Sequence, residues 1–384
     1  MFRPTRILQV AVASLFLSGC ASSGHVQQTS GTDSAINQTT VSNDRINSSR
    51  TQYPGQGSIP SGDFTGPDGQ LQPELRAFAH ETSTQHHLPL ADVEFLLKSA
   101  HYNAKAVQLM MPKTTHRRIR RAWTSYRKRH VDPIRIRRGT AFWQANHRTL
   151  QQVSQRTGVP EAIMVAIIGI ETVYGQYTGN HRVLDTLTTL GFRYPDPSRP
   201  ERQTMFRQQL ADLLVLDHQG VLNAMTVEGS FAGAMGLPQF MPGSLMRYAA
   251  DGNGDGKIDL ASNVDDAIAS VGSFLQQHGW VRDVPVFAPV RLPANPQRLV
   301  QDGLTPTTDW PQLQAAGAQV VVLGPDKWKS QKLGVIDLRD EIRDTHDYRC
   351  ATPNFFAITH YNRSYFYAAS VADLAQAIQD QMGS

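Results

Sequence analysis

Residues 160–179 read PEAIMVAIIGIETVYGQYTG, and this stretch decides how the rest of the chain is read. Pro160 suits the start of a helix, where its missing N–H is no loss, and Glu161 complements the positive helix end. The run that follows is apolar apart from a glycine, so a buried helix is expected to reach about Tyr174 and stop at Gly175. It closes on one carboxylate, Glu171, among aromatics and glycines. Burial disfavours the charged form of a carboxyl group. Glu171 is therefore a candidate general acid, the part that protonates a leaving oxygen in glycoside cleavage. Taken alone, the segment also allows the plainer reading that Glu171 marks where the helix surfaces.

Three further segments accompany it: FRYP at 192–195, GSFAGAMGLPQFMPGS at 229–244 and HYNRSYFYA at 360–368. In this order and spacing the four stretches resemble the membrane-bound lytic murein transglycosylase B family, from about Pro73 to the C-terminus. The resemblance implies a lysozyme-like core, periplasmic peptidoglycan as substrate, and a lyase reaction that leaves a 1,6-anhydro-muramic acid end. In that reaction one carboxyl group, here Glu171, protonates the glycosidic oxygen and then takes a proton from the C6 hydroxyl as it attacks C1. The family motif places Ser230 and Gln239 where charge develops at C1 and the 2-acetamido group, and both hydrogen-bond without adding a charge. Tyr126, Phe240, Tyr361 and Asn362 match binding positions, with rings suited to sugar faces and polar ends suited to hydroxyls.

The chain departs from the pattern after FRYP. The family has a pair of arginines and a tyrosine just beyond it, whereas this chain has the longer DPSRPERQTMF; Arg202 is carried over, with Glu201 and Met205 where an arginine and an aromatic are expected. No second carboxylate stands out near Glu171. Asp185 and Glu228 are the nearest, and Asp185 follows a helical pattern that reads as structural. Met235 and Met241 read as core residues. Two rivals to the lytic reaction are a lysozyme-type hydrolase using the same acid and a non-catalytic, calcium-stabilised peptidoglycan-binding lipoprotein.

A second site begins at Asp251 with DGNGDGKIDL. Asp251, Asn253 and Asp255 occupy loop positions one, three and five, with Gly256 at six, the Lys257 carbonyl at seven and Ile258 at the apolar eighth position, as at the opening of an EF-hand. Ser262 replaces the usual Glu at position twelve. The resemblance implies a longer loop closed by a later acid, Asp265 being the best match and Asp266 its competitor, with Asp259 a further donor. Calcium is the expected structural cofactor, with no organic cofactor; an Asp/Asn/Gly turn without an ion is the alternative.

The N-terminus begins MFRPTRILQVAVASLFLSGC: two arginines, a short apolar run and a lipoprotein box, which predicts a signal segment cleaved before Cys20 and lipidation of that cysteine. The apolar run is too short to span a bilayer comfortably. Ala21 is not the aspartate associated with inner-membrane retention, so the expected place is the periplasmic face of the outer membrane, with the membrane reached through the N-terminal lipid. Residues from 21 to about 70 are polar and read as a disordered tether, about 40 Å in root-mean-square span and about 170 Å when extended. Only Cys20 and Cys350 occur, so no disulfide framework is available, and Cys350 reads as a small packed apolar residue.

The net charge of +4 hides segregation: Lys113 to Arg138 holds eleven Lys and Arg against the single acid Asp132. A solvated helical face or attraction to anionic glycan stems or lipid headgroups accounts for it, and nucleic acid is not an expected partner of an exported lipoprotein. Cell-wall synthesis complexes are a further class of expected partner. The expected fold is mainly α (α+β): a lysozyme-like helical core, an additional helical domain built from both ends of the chain, and a small antiparallel β module. The divisions are 1–19 signal, 20–70 lipidated Cys and tether, 71–150 helical part, 151–283 catalytic core with the calcium loop, 284–345 β module, and 346–384 C-terminal helical part. Helices are read at 161–174, 204–219, 264–278 and Ser364 to Met382. Strands are read in FAPVRLP, AQVVVLG and KLGVIDLR.

Overall fold

The buried helix is α7, Glu161–Thr172, whose side chains are all buried from Ala162 onward. It ends earlier than expected. Val173, Tyr174 and Gly175 are left-handed in succession, with φ of 51°, 60° and 86°, a conformation that a β-branched residue seldom adopts. Tyr174 explains the early turn: its O–H donates to the carbonyl of Arg135 at 3.0 Å, and a Cβ at Gly169 would stand 2.4 Å from that hydroxyl oxygen. The ring has room only because residue 169 is glycine.

This computed structural model describes residues 63–112, 118, 120–322 and 324–383. The expected signal segment, Cys20 and most of the tether lie outside the described residues, as does Lys113. The expected tether boundary at residue 70 is too late. Phe64 and Leu71 are each 1% exposed within the main core, Thr65 bridges to Leu71, and Asp63 accepts the backbone N–H of Tyr102 at 2.8 Å. Two apolar anchors in a polar stretch suffice to dock it.

The chain is mainly helical with small antiparallel strand pairs, as expected. Helices α1 (Pro73–His86), α2 (Leu90–Lys98) and α3 (Ala104–Met110) precede α4 (Trp123–His130), α5 (Pro133–Ala145) and α6 (His147–Thr157). The first three form one group, with α1 against α2 and both α2 and α3 against α8 (Val183–Phe192). By contrast α5 and α6 pack on α7, so residues 71–150 serve two different surfaces. Next come α9 (Pro200–His218), α10 (Pro242–Tyr248) and α11 (Val264–Gln277), the last packing on α6, α7 and α10. Asn263 caps α11 by accepting from the N–H groups of Asp265 and Asp266.

Strands are short. β1 (His181–Arg182) pairs with β2 (Glu228–Gly229), β3 (Val290–Arg291) with β4 (Gln319–Val320), and β5 (Gly334–Asp337) with β6 (Tyr348–Ala351), all antiparallel. The strand β6 lies beyond the expected module end at 345: YRCA carries two polar residues and no turn signal marks it as a strand. Around β3 to β6 a second, smaller core gathers Val284, Leu313, Trp328, Leu333, Val335 and Cys350. Cys350 is a packed thiol there, as its sequence context implies. Helix α12 (Trp310–Ala315) closes this module, and α13 (Pro353–Tyr361) leads into α14 (Tyr365–Met382). Helix α14 returns to the main core against α7, α5 and α4, bringing the end of the chain to Glu171.

Candidate active site

Glu171 occupies the last turn of α7 and is 3% exposed. Its Oε1 accepts a 2.6 Å hydrogen bond from the Tyr367 hydroxyl on α14. Burial pushes the Glu171 carboxyl up to about 7, and the Tyr367 bond opposes this only in part. Tyr367 and Tyr361 lie nearly parallel, with ring centroids 6.3 Å apart; burial and the nearby Glu171 hold both phenols well above their usual range, hence neutral. The arrangement is a carboxyl group that carries a proton near neutral pH, held by a neutral donor.

The residue after it fixes the facing loop. The Thr172 hydroxyl donates to the carbonyl of Leu237 at 3.0 Å, and Tyr361 donates to that of Pro238 at 2.6 Å. The loop folds on itself through bridges from Met235 to Gly229 and to Phe240. Ser230 and Gln239 stand near its two ends. Ser230 Oγ accepts from the N–H groups of Ala232 and Ala234, at 3.3 and 3.1 Å, so its hydroxyl proton is the part left to donate. Gln239 is 5% exposed and left-handed at φ 54°, with its amide nitrogen committed to the carbonyls of Thr178 and Gly236.

The aromatic residues divide. Phe240 is 2% exposed, tilted against Phe274 and Tyr361 with centroids 5.6 and 5.9 Å away. Phe240 and Tyr361 therefore wall the site with covered rings rather than offering open faces to a sugar. Tyr126, on α4, is half-buried, stacked on His130 at 4.3 Å and tilted against Phe366 at 5.5 Å. Asn362 caps the end of α13, its carbonyl accepting from Ser364 N at 2.6 Å. Arg202 stands in the first turn of α9 beside Tyr194, Arg199 and Glu201.

Neither alternative carboxylate joins the cluster. Asp185 pairs with Arg182 at 2.5 Å and accepts from the N–H of His101 at 2.8 Å, and Glu228 is exposed on β2. Sequence reading missed Tyr367 as the partner of Glu171, although it lies within the quoted segment 360–368. The signal available was a tyrosine on the apolar face of the final helix.

The loop at 251–266 offers oxygen donors only. Asp251 accepts from the N–H groups of Gly254 and Gly256, at 2.6 and 2.8 Å, and Asp255 from that of Lys257 at 2.8 Å. Asp266 ties the loop ends by accepting from the N–H groups of Gly252 and Asp259. Burial, then the charges of Asp251 and Asp255, raise its carboxyl above the usual range; a cation would relieve that repulsion. Asn253, Asp255, Lys257, Asp259 and Asp265 line a cavity of about 470 Å³. Asp265 also accepts from the Thr149 hydroxyl at 2.5 Å. The donor types suit a hard divalent ion, but among the described residues no three of these acids converge on one point, because Asp251 and Asp255 turn onto N–H groups of the loop itself. Leu260, inside the loop, accepts from Leu237 N at 2.8 Å, joining this loop to the one bearing Gln239.

A buried, helix-borne carboxyl group that carries a proton near neutral pH suits the general acid of glycoside cleavage. The chain belongs to the transglycosylase SLT domain family, whose model matches residues 70–376. It is 38% identical over 259 residues, 67% of each chain, to membrane-bound lytic murein transglycosylase B of Escherichia coli (strain K12). Its fold is similar to that of soluble lytic transglycosylase SltB1 from Pseudomonas aeruginosa, with a TM-score of 0.71, 34% identity and coverage of 81% of this chain and 100% of that one. It is also similar to the Escherichia coli lytic transglycosylase Slt35 in complex with calcium, with a TM-score of 0.70, 31% identity and coverage of 85% and 97%.

Proposed function

We propose that this lytic transglycosylase cleaves the MurNAc–GlcNAc β-1,4 bond of peptidoglycan with Glu171 as its only proton-transfer group. The observation that carries this is the buried Glu171 carboxyl, pushed up to about 7, with a neutral tyrosine and, among the described residues, no second carboxylate as its partner. Protonated, Glu171 donates to the glycosidic oxygen; as the carboxylate, it takes the proton of the C6 hydroxyl while O6 bonds to C1. Ser230 donates a hydrogen bond to the sugar and Gln239 presents its amide oxygen, while Tyr126 and Asn362 position the glycan in a site walled by the covered rings of Phe240 and Tyr361. Arg202 serves a more distant part of the substrate. Products are expected to carry 1,6-anhydro ends, one water lighter than hydrolytic fragments. Mass spectrometry of muropeptides from digested sacculi reads this directly, and reducing ends alone reject the lyase reading in favour of a hydrolase.

Calcium fits the second site as a structural ion held by Asp251, Asn253, Asp255, the Lys257 carbonyl and Asp265, with the Slt35 complex in support. At a hundredfold excess over Kd it is expected to stabilise the fold by about 2.7 kcal/mol, several degrees in Tm, with magnesium giving less. Identical melting curves in calcium and chelator remove the ion from this reading. The N-terminal sequence and the membrane-bound relative together support lipidation at Cys20 and anchorage on the periplasmic face of the outer membrane. Cys20→Ala is expected to release the protein from membranes, and persistent high-salt sedimentation with them counts against the anchor.

A further inference from the structure

Helix α4 lacks its own start. Its N-cap residue is Ala122, among the poorest for that position, its first turn holds no acid, and its last turn carries Arg127, Lys128, Arg129 and His130. An eight-residue helix so built is not stable by itself. What holds it comes from 216 residues further along the chain, in the turn between β5 and β6. Asp340 is fully buried, and its Oδ2 accepts from the N–H of Thr124 at 3.0 Å, the donor an N-cap side chain would satisfy. The same carboxylate accepts from the N–H groups of Ile342 and Arg343 and from the Arg343 guanidinium, and these donors together hold it well below the usual range.

Neighbouring contacts clamp the junction. Asp340 bridges to Ala122 as an antiparallel pair, and Glu341 exchanges backbone and side-chain bonds with Arg121, each at 2.8 Å. Arg118 pairs with the Glu341 carboxylate, and Arg120 reaches the Glu341 carbonyl. Trp123 donates its indole N–H to Asp347 at 3.1 Å, and Arg127 and Arg349 meet on Asp373. Arg118 and Arg127 of the basic run are thus paired with acids of the turn and of α14. On α4 itself, Tyr126 leans on Phe366, the chain neighbour of Tyr367, which holds Glu171.

We propose that Asp340 is a positioning residue for glycan cleavage: by capping α4 from the β module it sets Tyr126 against the site around Glu171. The module is then part of the substrate-binding apparatus rather than an appendage. The inference rests on Tyr126 being a substrate contact, as proposed above.

Soluble glycan strands and the full chain provide the test. Asp340→Ala is expected to raise KM about tenfold, the size of a lost cap expressed in binding, with kcat within about twofold. Hydrogen exchange is expected to quicken at Thr124 to Tyr126 while α7 stays protected. Ala122→Asp added to Asp340→Ala supplies a cap from the helix's own N-cap position and is expected to restore both readouts. An unchanged KM in a folded Asp340→Ala, or no recovery in the double variant, overturns the proposal. If Asp340→Ala does not fold, Glu341→Ala leaves the capping turn intact and is expected to give a smaller rise in KM; no change in it counts equally against the proposal. Tyr126→Ala separates the two claims: an unchanged KM there rejects the substrate-contact reading, whereas capping of α4 is judged by exchange alone.

Discussion

Glu171→Gln is expected to lower glycan cleavage by about 10²–10⁴-fold with the fold intact, because the amide can neither donate nor recover a proton. Its oxygen still accepts the Tyr367 hydrogen bond that holds the side chain in place. On the proposed mechanism the reaction starts from protonated Glu171, so kcat/KM is expected to fall as pH rises through about 7, the value set by burial of that carboxyl group. Tyr367→Phe removes a donor that favours the carboxylate, so the falling limb is expected to move to higher pH. Product release from sacculi, followed against pH for the three proteins, checks all of this. Full activity in Glu171→Gln rejects Glu171 as the acid.

The same substitution is expected to stabilise the fold, but only at high pH. An acid whose folded pKa is raised, here from 4.5 to about 7, binds more protons in the folded chain between those values. Its contribution is intact below pH 4.5, and stability declines as pH rises until the whole penalty is present above about 7. The sign is the reverse of an ion-paired carboxylate. The penalty is at most ~3 kcal/mol, and Gln does not carry it. The gap in Tm between Glu171→Gln and its parent is therefore expected to widen by about 5 °C from pH 4.5 to pH 8. Using the change in the gap cancels the packing difference between acid and amide, and parallel Tm profiles reject a high folded pKa. In its proposed role Glu171 costs stability in the pH range where it works, an exchange of stability for activity.

Much of this site was legible because its parts are local in sequence. A nearly continuous apolar run has one meaning at that length, and Asp251, Asn253 and Asp255 at alternate positions before Gly256 define a turn wherever they occur. The helices α9, α11 and α14 followed from periodicity in the same way, within a few residues at each end. What was not legible depends on partners far along the chain. Tyr367 reaches Glu171 across 196 residues, and no periodicity ties a tyrosine on one helix to an acid on another. Asp340 looks like any turn aspartate until α4 is laid against it. The early end of α7 is similar: Gly175 is a good stop signal, but Tyr174 is drawn back over Gly169, and that contact decides the bend. The covered rings of Phe240 and Tyr361 show the limit of reading aromatics as sugar platforms, since an exposed ring and a packed one have the same letter.

The small core beneath β5 and β6 gives the protein a built-in clock. Cys350 is the only free thiol among the described residues, 3% exposed, and burial pushes it up to about 12. A thiol so placed does not react with alkylating reagents at pH 8 while the module is closed. Each labelling event therefore times a local opening of that core, separately from the larger core around α7. The turn bearing Asp340 joins the same two strands, so an opening that parts them also loosens the cap on α4.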